Sequence, residues 1–100
     1  FEYPDADSLF QLWQKALDPF IPDHRIDVKF IAREQARQQV TGAQISRVKD
    51  LLGIRALKRK NWELSLEELV FALQQKNVSV PNFHEYLQRK AQYRDFLGED

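Results

Sequence analysis

The sequence has no cysteine and no methionine, and only three of its 100 residues are glycine. Without cysteine there is no disulfide framework, no thiolate nucleophile and no cysteine-based zinc site. This absence fits an intracellular protein, either cytoplasmic or nuclear. Because even an initiating methionine is missing, we expect the chain to be a segment excised from a longer protein.

Long apolar runs and catalytic motifs are missing too. No run approaches the roughly 18 apolar residues that a membrane span needs, and no signal peptide is visible. The histidines, His24 and His84, stand apart from other residues at metal-ligand spacing, and the glycines form no phosphate-binding motif. We therefore expect a non-enzymatic protein with no cofactor, no metal, no small-molecule substrate and no membrane contact.

What is present suits one folded domain. Apolar residues make up 43% of the chain and charged residues 30%, which is typical of a soluble globular domain of this length. Apolar residues recur mostly at helical spacing. The sequence predicts a single all-α domain over residues 1–100, a compact orthogonal bundle of five or six short helices after an N-terminal tail, residues 1–7.

The stretch from Val40 to Gly53 carries the clearest helix signal. Thr41 followed by Gln44 forms a capping box, in which each side chain bonds the other residue's backbone N–H. Gly53 suits a helix end, because glycine readily adopts a left-handed conformation. We therefore predict a helix that ends at Leu52, with an apolar stripe that includes Ile45 and Val48.

The other helices follow from similar patterns, including capping boxes predicted from Ser65 with Glu68 and from Asn82 with Glu85. Residues 26–30 alternate as a strand would, but a lone strand has no evident partner, so a helix is preferred there. Phe20 and Ile21 are expected to plug the core after helix 1. The remaining predicted helices cover about residues 8–18, 27–38, 55–59, 65–76 and 82–97, with Gly98 ending the last. The predicted core comprises Leu9, Leu12, Trp13, Phe30, Ile31, Ile45, Val48, Leu52, Leu69, Val70, Leu73, Phe83 and Leu87.

Zero net charge hides a segregation of charge along the chain. Asp23 to Lys60, the basic block, contains ten lysines or arginines against four acids, a net charge of +6. The remaining residues hold five bases and eleven acids, a net of −6. Such segregation can produce one basic and one acidic face, although blocks of this kind also arise by chance in charged helical proteins.

Part of the basic block resembles lac-repressor-type helix-turn-helix domains. Val40 to Val48 (VTGAQISRV) is similar to their turn and recognition helix, and Ile31 to Glu34 to the start of their first helix. Ala32 and Val40 are three residues too far apart for both matches. An ungapped alignment places Gln39 at the turn glycine and Gln35 at a buried alanine. The resemblance implies DNA binding, with Gly42, Ala43, Gln44 and Arg47 on base edges. The side chains on phosphates would be Arg33, Arg37, Lys49 and Lys58 to Lys60.

The C-terminal half resembles a different class. Leu64 to Leu73 (LSLEELVFAL) with the short helix after it is similar to the last two helices of death-domain-like bundles, whereas the tryptophan-centred second helix of those domains is absent. The resemblance implies an adaptor or assembly domain that binds through charged faces.

We favour a protein-interaction module that binds a partner or itself, with DNA binding as the alternative. For either function the candidate binding residues are Arg33, Arg37, Gly42, Ala43, Gln44, Arg47, Lys49, Arg55, Lys58, Arg59 and Lys60.

Overall fold

Helices dominate the computed structural model, which describes residues 3–88. The predicted all-α class is confirmed, with five helices in the described residues. They are α1 (Ala6–Leu17), α2 (Val28–Arg37), α3 (Gly42–Arg59), α4 (Leu66–Gln75) and α5, which is described over residues 83–88. Two short strands, β1 (Ile21–Pro22) and β2 (Glu63–Leu64), complete the regular structure.

Side-chain caps begin the first four helices. The Asp5 carboxylate accepts a hydrogen bond from the Ser8 N–H at 2.8 Å at the start of α1. Asp27 caps α2, so Val28 and Phe30 of the alternating stretch lie within a helix and not a strand. Thr41 and Gln44 form the predicted reciprocal box at the start of α3, with N···O distances of 2.8 and 3.3 Å. Each cap supplies a partner for an N–H that the helix leaves unpaired.

The two later caps are also in place. Ser65 Oγ accepts from the Glu68 N–H at 3.1 Å, and Asn82 Oδ1 accepts from the Glu85 N–H at 3.2 Å. The carboxylate of Glu68 binds two arginines of α3, so it does not complete a reciprocal box with Ser65. The predicted course of the last helix beyond residue 88, including its end at Gly98, lies outside the described residues.

The prediction that Gly53 ends a helix is wrong. α3 runs through it to Arg59, so the separate helix predicted over residues 55–59 is the last part of one 18-residue helix. Leu52 and Ala56, one turn apart on either side of Gly53, are both buried. Their burial favours continuing the helix, and it outweighs the roughly 1 kcal/mol that glycine costs within a helix.

A short parallel strand pair joins two loops that are far apart in the sequence, the loop between α1 and α2 and the loop between α3 and α4. Ile21 pairs with Glu63 and Pro22 with Leu64. The Ile21 N–H donates to the Trp62 carbonyl at 2.9 Å, and the Asp23 N–H donates to the Leu64 carbonyl at 2.7 Å. The pair therefore holds the α1–α2 loop beside the entrance to α4.

Most of the predicted stripes form the core, since α1 packs against α2 and α3, and α3 packs against α4. Leu12 is 37% exposed and lies at the edge of its stripe, so its place in the core list is wrong. Phe20 is buried as expected, but Ile21 is 65% exposed because the strand pair turns it outward. Of the predicted core, Leu9, Trp13, Ile31, Ile45, Val48, Leu52, Leu69, Leu73 and Phe83 are buried, and Phe30, Val70 and Leu87 are partly buried.

One polar side chain is fully enclosed by this core. Gln35 on α2 is 0% exposed. Its Oε1 accepts a hydrogen bond from Trp13 Nε1 at 2.7 Å, and its Nε2 donates to the Ser79 carbonyl at 2.9 Å. A buried amide is tolerated when its polar atoms are paired. Gln35 thereby links α1, α2 and the segment that leads to α5.

Replacing Gln35 with leucine should destabilise the fold while nearly conserving side-chain volume. Trp13 Nε1 and the Ser79 carbonyl would lose their partner, and we expect a loss of about 1–3 kcal/mol in the free energy of unfolding for each group. Gln38→Leu, at an exposed position beside α2, should change it by less than about 0.5 kcal/mol. Urea unfolding would measure both variants. Equal losses from the two would contradict a structural role for the amide.

Gly53→Ala should stabilise the protein. An added Cβ would have no heavy atom within 4 Å, apart from its own helix and chain neighbours, and α3 is helical on both sides. We expect the free energy of unfolding to rise by about 0.5–1 kcal/mol, because alanine loses less backbone entropy in a helix. A destabilised variant in urea melts would instead indicate that the helix ends at this residue.

Candidate interaction surface

The bases of α3 point in three directions around the helix. Successive residues of an α-helix are about 100° apart, so a residue's direction follows from its offset to the buried stripe. Arg47 and Lys58 lie opposite that stripe and are exposed. Arg55 and Arg59 lie on the side that faces α4, and Lys49 lies on the other flank. The predicted binding residues of this helix therefore do not share one face.

Arg55 and Arg59 are bound within the protein. The Arg55 guanidinium binds the Glu68 carboxylate through Nε and through Nη2, the latter at 3.2 Å, and Arg59 Nη1 binds the same carboxylate at 2.9 Å. Arg55 also lies over the Phe71 ring, 4.5 Å from its centroid. Hydrogen bonding from Arg55 lowers the pKa of Glu68, and Glu68 raises the pKa of Arg55. Both arginines therefore fasten α3 to α4.

A second ion-pair cluster fastens the α1–α2 loop to α4. Arg25 donates from Nε and Nη2 to Asp23 Oδ2, at 2.9 and 2.6 Å, and from Nη2 to Glu67 at 2.7 Å. These hydrogen bonds lower the pKa values of both acids. Glu67 and Glu68 belong to the acidic remainder of the sequence. Some of the charge segregated along the chain is therefore neutralised within the fold.

The start of α3 is only partly open to solvent. Gly42 is half-buried, and a Cβ added there would lie 3.5 Å from Leu12 Cδ1 of α1. Gln44 is half-buried, and its Oε1 is engaged in the capping box. Ala43 and Arg47 are exposed on the outward side. Of the four residues predicted to read base edges, two are therefore turned toward the protein or used by its cap.

The turn before α3 contains a residue in the left-handed conformation, as do the turns after α3 and α4. Gln39 has a φ of 59°, the left-handed conformation that the ungapped alignment assigns to a glycine. Gln35, aligned with a small buried alanine, is indeed buried, but its long side chain extends to Trp13 and Ser79. A left-handed residue at the end of a helix is common and does not distinguish this turn, whereas the long buried side chain of Gln35 differs from the alanine of the resemblance.

Arg33 and Arg37 belong to a separate region. They lie one turn apart on the exposed side of α2 and line a surface groove of about 590 Å³ between α2 and α5. Phe30 contributes an aromatic wall, and its ring stacks on that of Tyr86 at 4.8 Å. Glu34 also lines the groove, so its surface carries charges of both signs.

The sequence reasoning missed an exposed apolar pair on α3. Ile54 is 53% exposed and Leu57 is 65% exposed, on the side that also carries Arg47 and Lys58. We call these four residues the outer face of α3. When the helix is continued through Gly53, the helical spacing of about 3.6 residues per turn places these residues opposite the buried stripe, and so predicts their exposure. Ending the predicted helix at Gly53 hid this relation.

Comparison with family models, curated proteins and solved structures gives no match for this chain. No helix within residues 3–88 has the length and apolar character to cross a membrane. The same residues contain no group of three or more histidine, cysteine, aspartate or glutamate side chains placed to hold a metal ion.

The ion pairs predict a loss of stability in acid. The pKa values of Glu67 and Glu68 are lowered in the folded protein from an ordinary value of 4.5. Their contribution is present above the unfolded-state pKa and is lost as the pH falls through the folded-state pKa. Urea melts should show a nearly constant free energy of unfolding above about pH 5.5 and a decline below about pH 4.5.

Glu68→Gln should be less stable than the parent at pH 7 and should decline less steeply in acid. Asp50→Asn provides the control, because Asp50 is an exposed carboxylate on α3 without an ion pair in the described residues. This control should keep the parent's slope. A Glu68→Gln variant with the parent's stability at both pH values would show that the ion pairs add nothing.

Proposed function

We propose that this domain is a non-enzymatic protein-interaction module that binds an acidic protein partner through the exposed part of its basic block. One observation carries the proposal: bases and large apolar side chains are exposed together on α3. Arg47 and Lys58 form no ion pair within residues 3–88, and Ile54 and Leu57 lie beside them. A protein surface can bury apolar side chains and pair with the bases in the same contact.

A heterologous partner is favoured over self-association by the internal ion pairs. Arg25, Arg55 and Arg59 already bind Glu67 or Glu68 within one chain. These two acids are therefore less available to a second copy. The resemblance to death-domain-like bundles is consistent with a charged assembly surface. The proposal rests on the exposed surface and does not depend on that resemblance.

DNA binding is the second candidate, and the exposed bases of α2 and α3 favour it. Exposed Arg47 and Lys49 would contact phosphates or bases in that case, with Arg33 and Arg37 placed on the preceding helix. Against it stand the half-buried Gly42 and the engaged Gln44 at the start of α3. Exposed leucine and isoleucine also gain little from a phosphate backbone.

A double charge reversal should separate the two functions. Arg47→Glu with Lys58→Glu should lower affinity for a protein partner by at least about tenfold, because two attractive contacts become repulsive. Neither base has a partner in the described residues, so the melting temperature should change little. Pull-downs from source cells, with and without nuclease, would measure recovery of the partner.

Lys15→Glu with Lys76→Glu is the matched control, since both lysines are exposed, lie outside the basic block and give the same change in net charge. The control should retain the partner. Binding of mixed-sequence duplex DNA at low salt, together with nuclease-sensitive recovery, would transfer support to DNA binding. Unchanged recovery by the Arg47 and Lys58 double variant would overturn the proposed surface.

A further inference from the structure

The two sides of α3 differ in what covers them. The buried stripe of this helix contacts the core, and its four members, Ile45, Val48, Leu52 and Ala56, are at most 3% exposed. On the opposite side Ile54 and Leu57 are 53% and 65% exposed. Residues three apart lie next to each other on a helix surface, so the pair forms one apolar patch. An exposed apolar patch rimmed by charged groups is a feature of protein-interaction sites.

Gly53 supplies a second observation at the same place. It lies one turn before Leu57, and no heavy atom outside its own helix and chain neighbours lies within 4 Å of an added Cβ. The fold itself therefore needs no glycine at this position, although glycine disfavours the helix around it. A residue without a side chain lets another backbone come close. The open space over Gly53 can accept the backbone of a partner.

The charges around the patch select the kind of partner. Arg47 and Lys58 are eleven residues apart, which corresponds to about 16 Å along the helix axis. Lys49 on α3 and Lys60 directly after it are also exposed, and Asp50 is the acidic residue of α3. The surrounding field is therefore positive, which favours an acidic ligand and disfavours a basic one.

We infer that the outer face of α3 docks an acidic amphipathic helix of the partner protein. Apolar side chains of that helix pack on Ile54 and Leu57, its backbone approaches Gly53, and its flanking carboxylates bind Arg47 and Lys58. This inference rests on the proposed protein-interaction function and adds to it the class of ligand and the contact residues.

A designed peptide tests the inference directly. The probe is a labelled 18-residue peptide with leucine at helical i, i+3, i+4 and i+7 spacing and glutamate at the flanking positions. Its control is a scrambled peptide of the same composition, which keeps the charge but has no apolar face. Fluorescence anisotropy should give an affinity at least about tenfold higher for the amphipathic peptide. Equal binding of the two peptides, or no binding of either, would overturn the inference.

Three variants locate the contact. Leu57→Ser should weaken the amphipathic peptide by about tenfold, as loss of an apolar anchor does. Gln14→Ser, at an exposed position on α1, is the control and should leave binding unchanged. Asp50→Asn should strengthen binding, because it removes a repulsive charge. Full affinity in Leu57→Ser would exclude the patch.

Gly53→Ala gives a test that loss of folding cannot imitate. The added methyl group should raise the melting temperature of the free domain and yet weaken the amphipathic peptide by at least about threefold, because it obstructs the close approach. If Gly53 had only a structural role, the substitution would not raise the melting temperature and weaken peptide binding together. A stabilised variant that binds with unchanged affinity would show that no backbone packs on Gly53.

The outcome is also separable from that of the proposed function. Should Leu57→Ser still recover the nuclease-resistant partner while the Arg47 and Lys58 reversal loses it, the domain binds proteins by another contact and the helix-docking inference fails alone. If the parent domain recovered no nuclease-resistant partner, the proposed function itself would be overturned. Concentration-dependent dimerisation abolished by Leu57→Ser in sedimentation would identify a second copy as the occupant and would overturn the acidic-helix ligand.

Discussion

The buried amide of Gln35 constrains how the rest of the described chain can pack. Its oxygen must meet the indole N–H of Trp13, and its nitrogen must meet the carbonyl of Ser79. Because an unpaired polar group in the core is costly, the Trp13 bond favours the observed register of α1 against α2, and the Ser79 bond fixes where the later segment crosses α2. The same bonds bring the chain back across α2 after α4. An apolar core alone would tolerate several such arrangements, whereas this pair of hydrogen bonds favours one.

Gln35 is also where the side-chain packing differs from the helix-turn-helix resemblance in the sequence. The ungapped alignment places a buried alanine of that class at this position. The longer Gln35 side chain is directed toward α1 and Ser79. α1 meanwhile packs against both helices and lies over Gly42. The side of α3 left open is therefore the one that carries Ile54 and Leu57.

Local signals were predictable from the sequence, and non-local contacts were not. Caps at Thr41 and Ser65 were found because a cap is made by residues three apart. Gly53 misled the prediction, since propensity is a weak signal and the burial of Leu52 and Ala56 outweighs it. The strand pair at residues 21–22 and 63–64 depends on two-residue segments that are distant in the chain, and so short a segment carries no periodicity.

The candidate site was also only partly predictable. The sequence gives the charged residues, but it does not show which of them form ion pairs within the fold. The basic block was expected to face an acidic partner, yet Arg25, Arg55 and Arg59 meet Glu67 or Glu68 inside the chain. Acids held on α4 have a high effective concentration near these three arginines, so an internal ion pair competes with any partner. Arg47 and Lys58 form no such ion pair within residues 3–88, because they lie opposite the buried stripe. The charges that remain open to a partner are therefore those without an internal ion pair. On α3 these charges lie beside exposed apolar side chains.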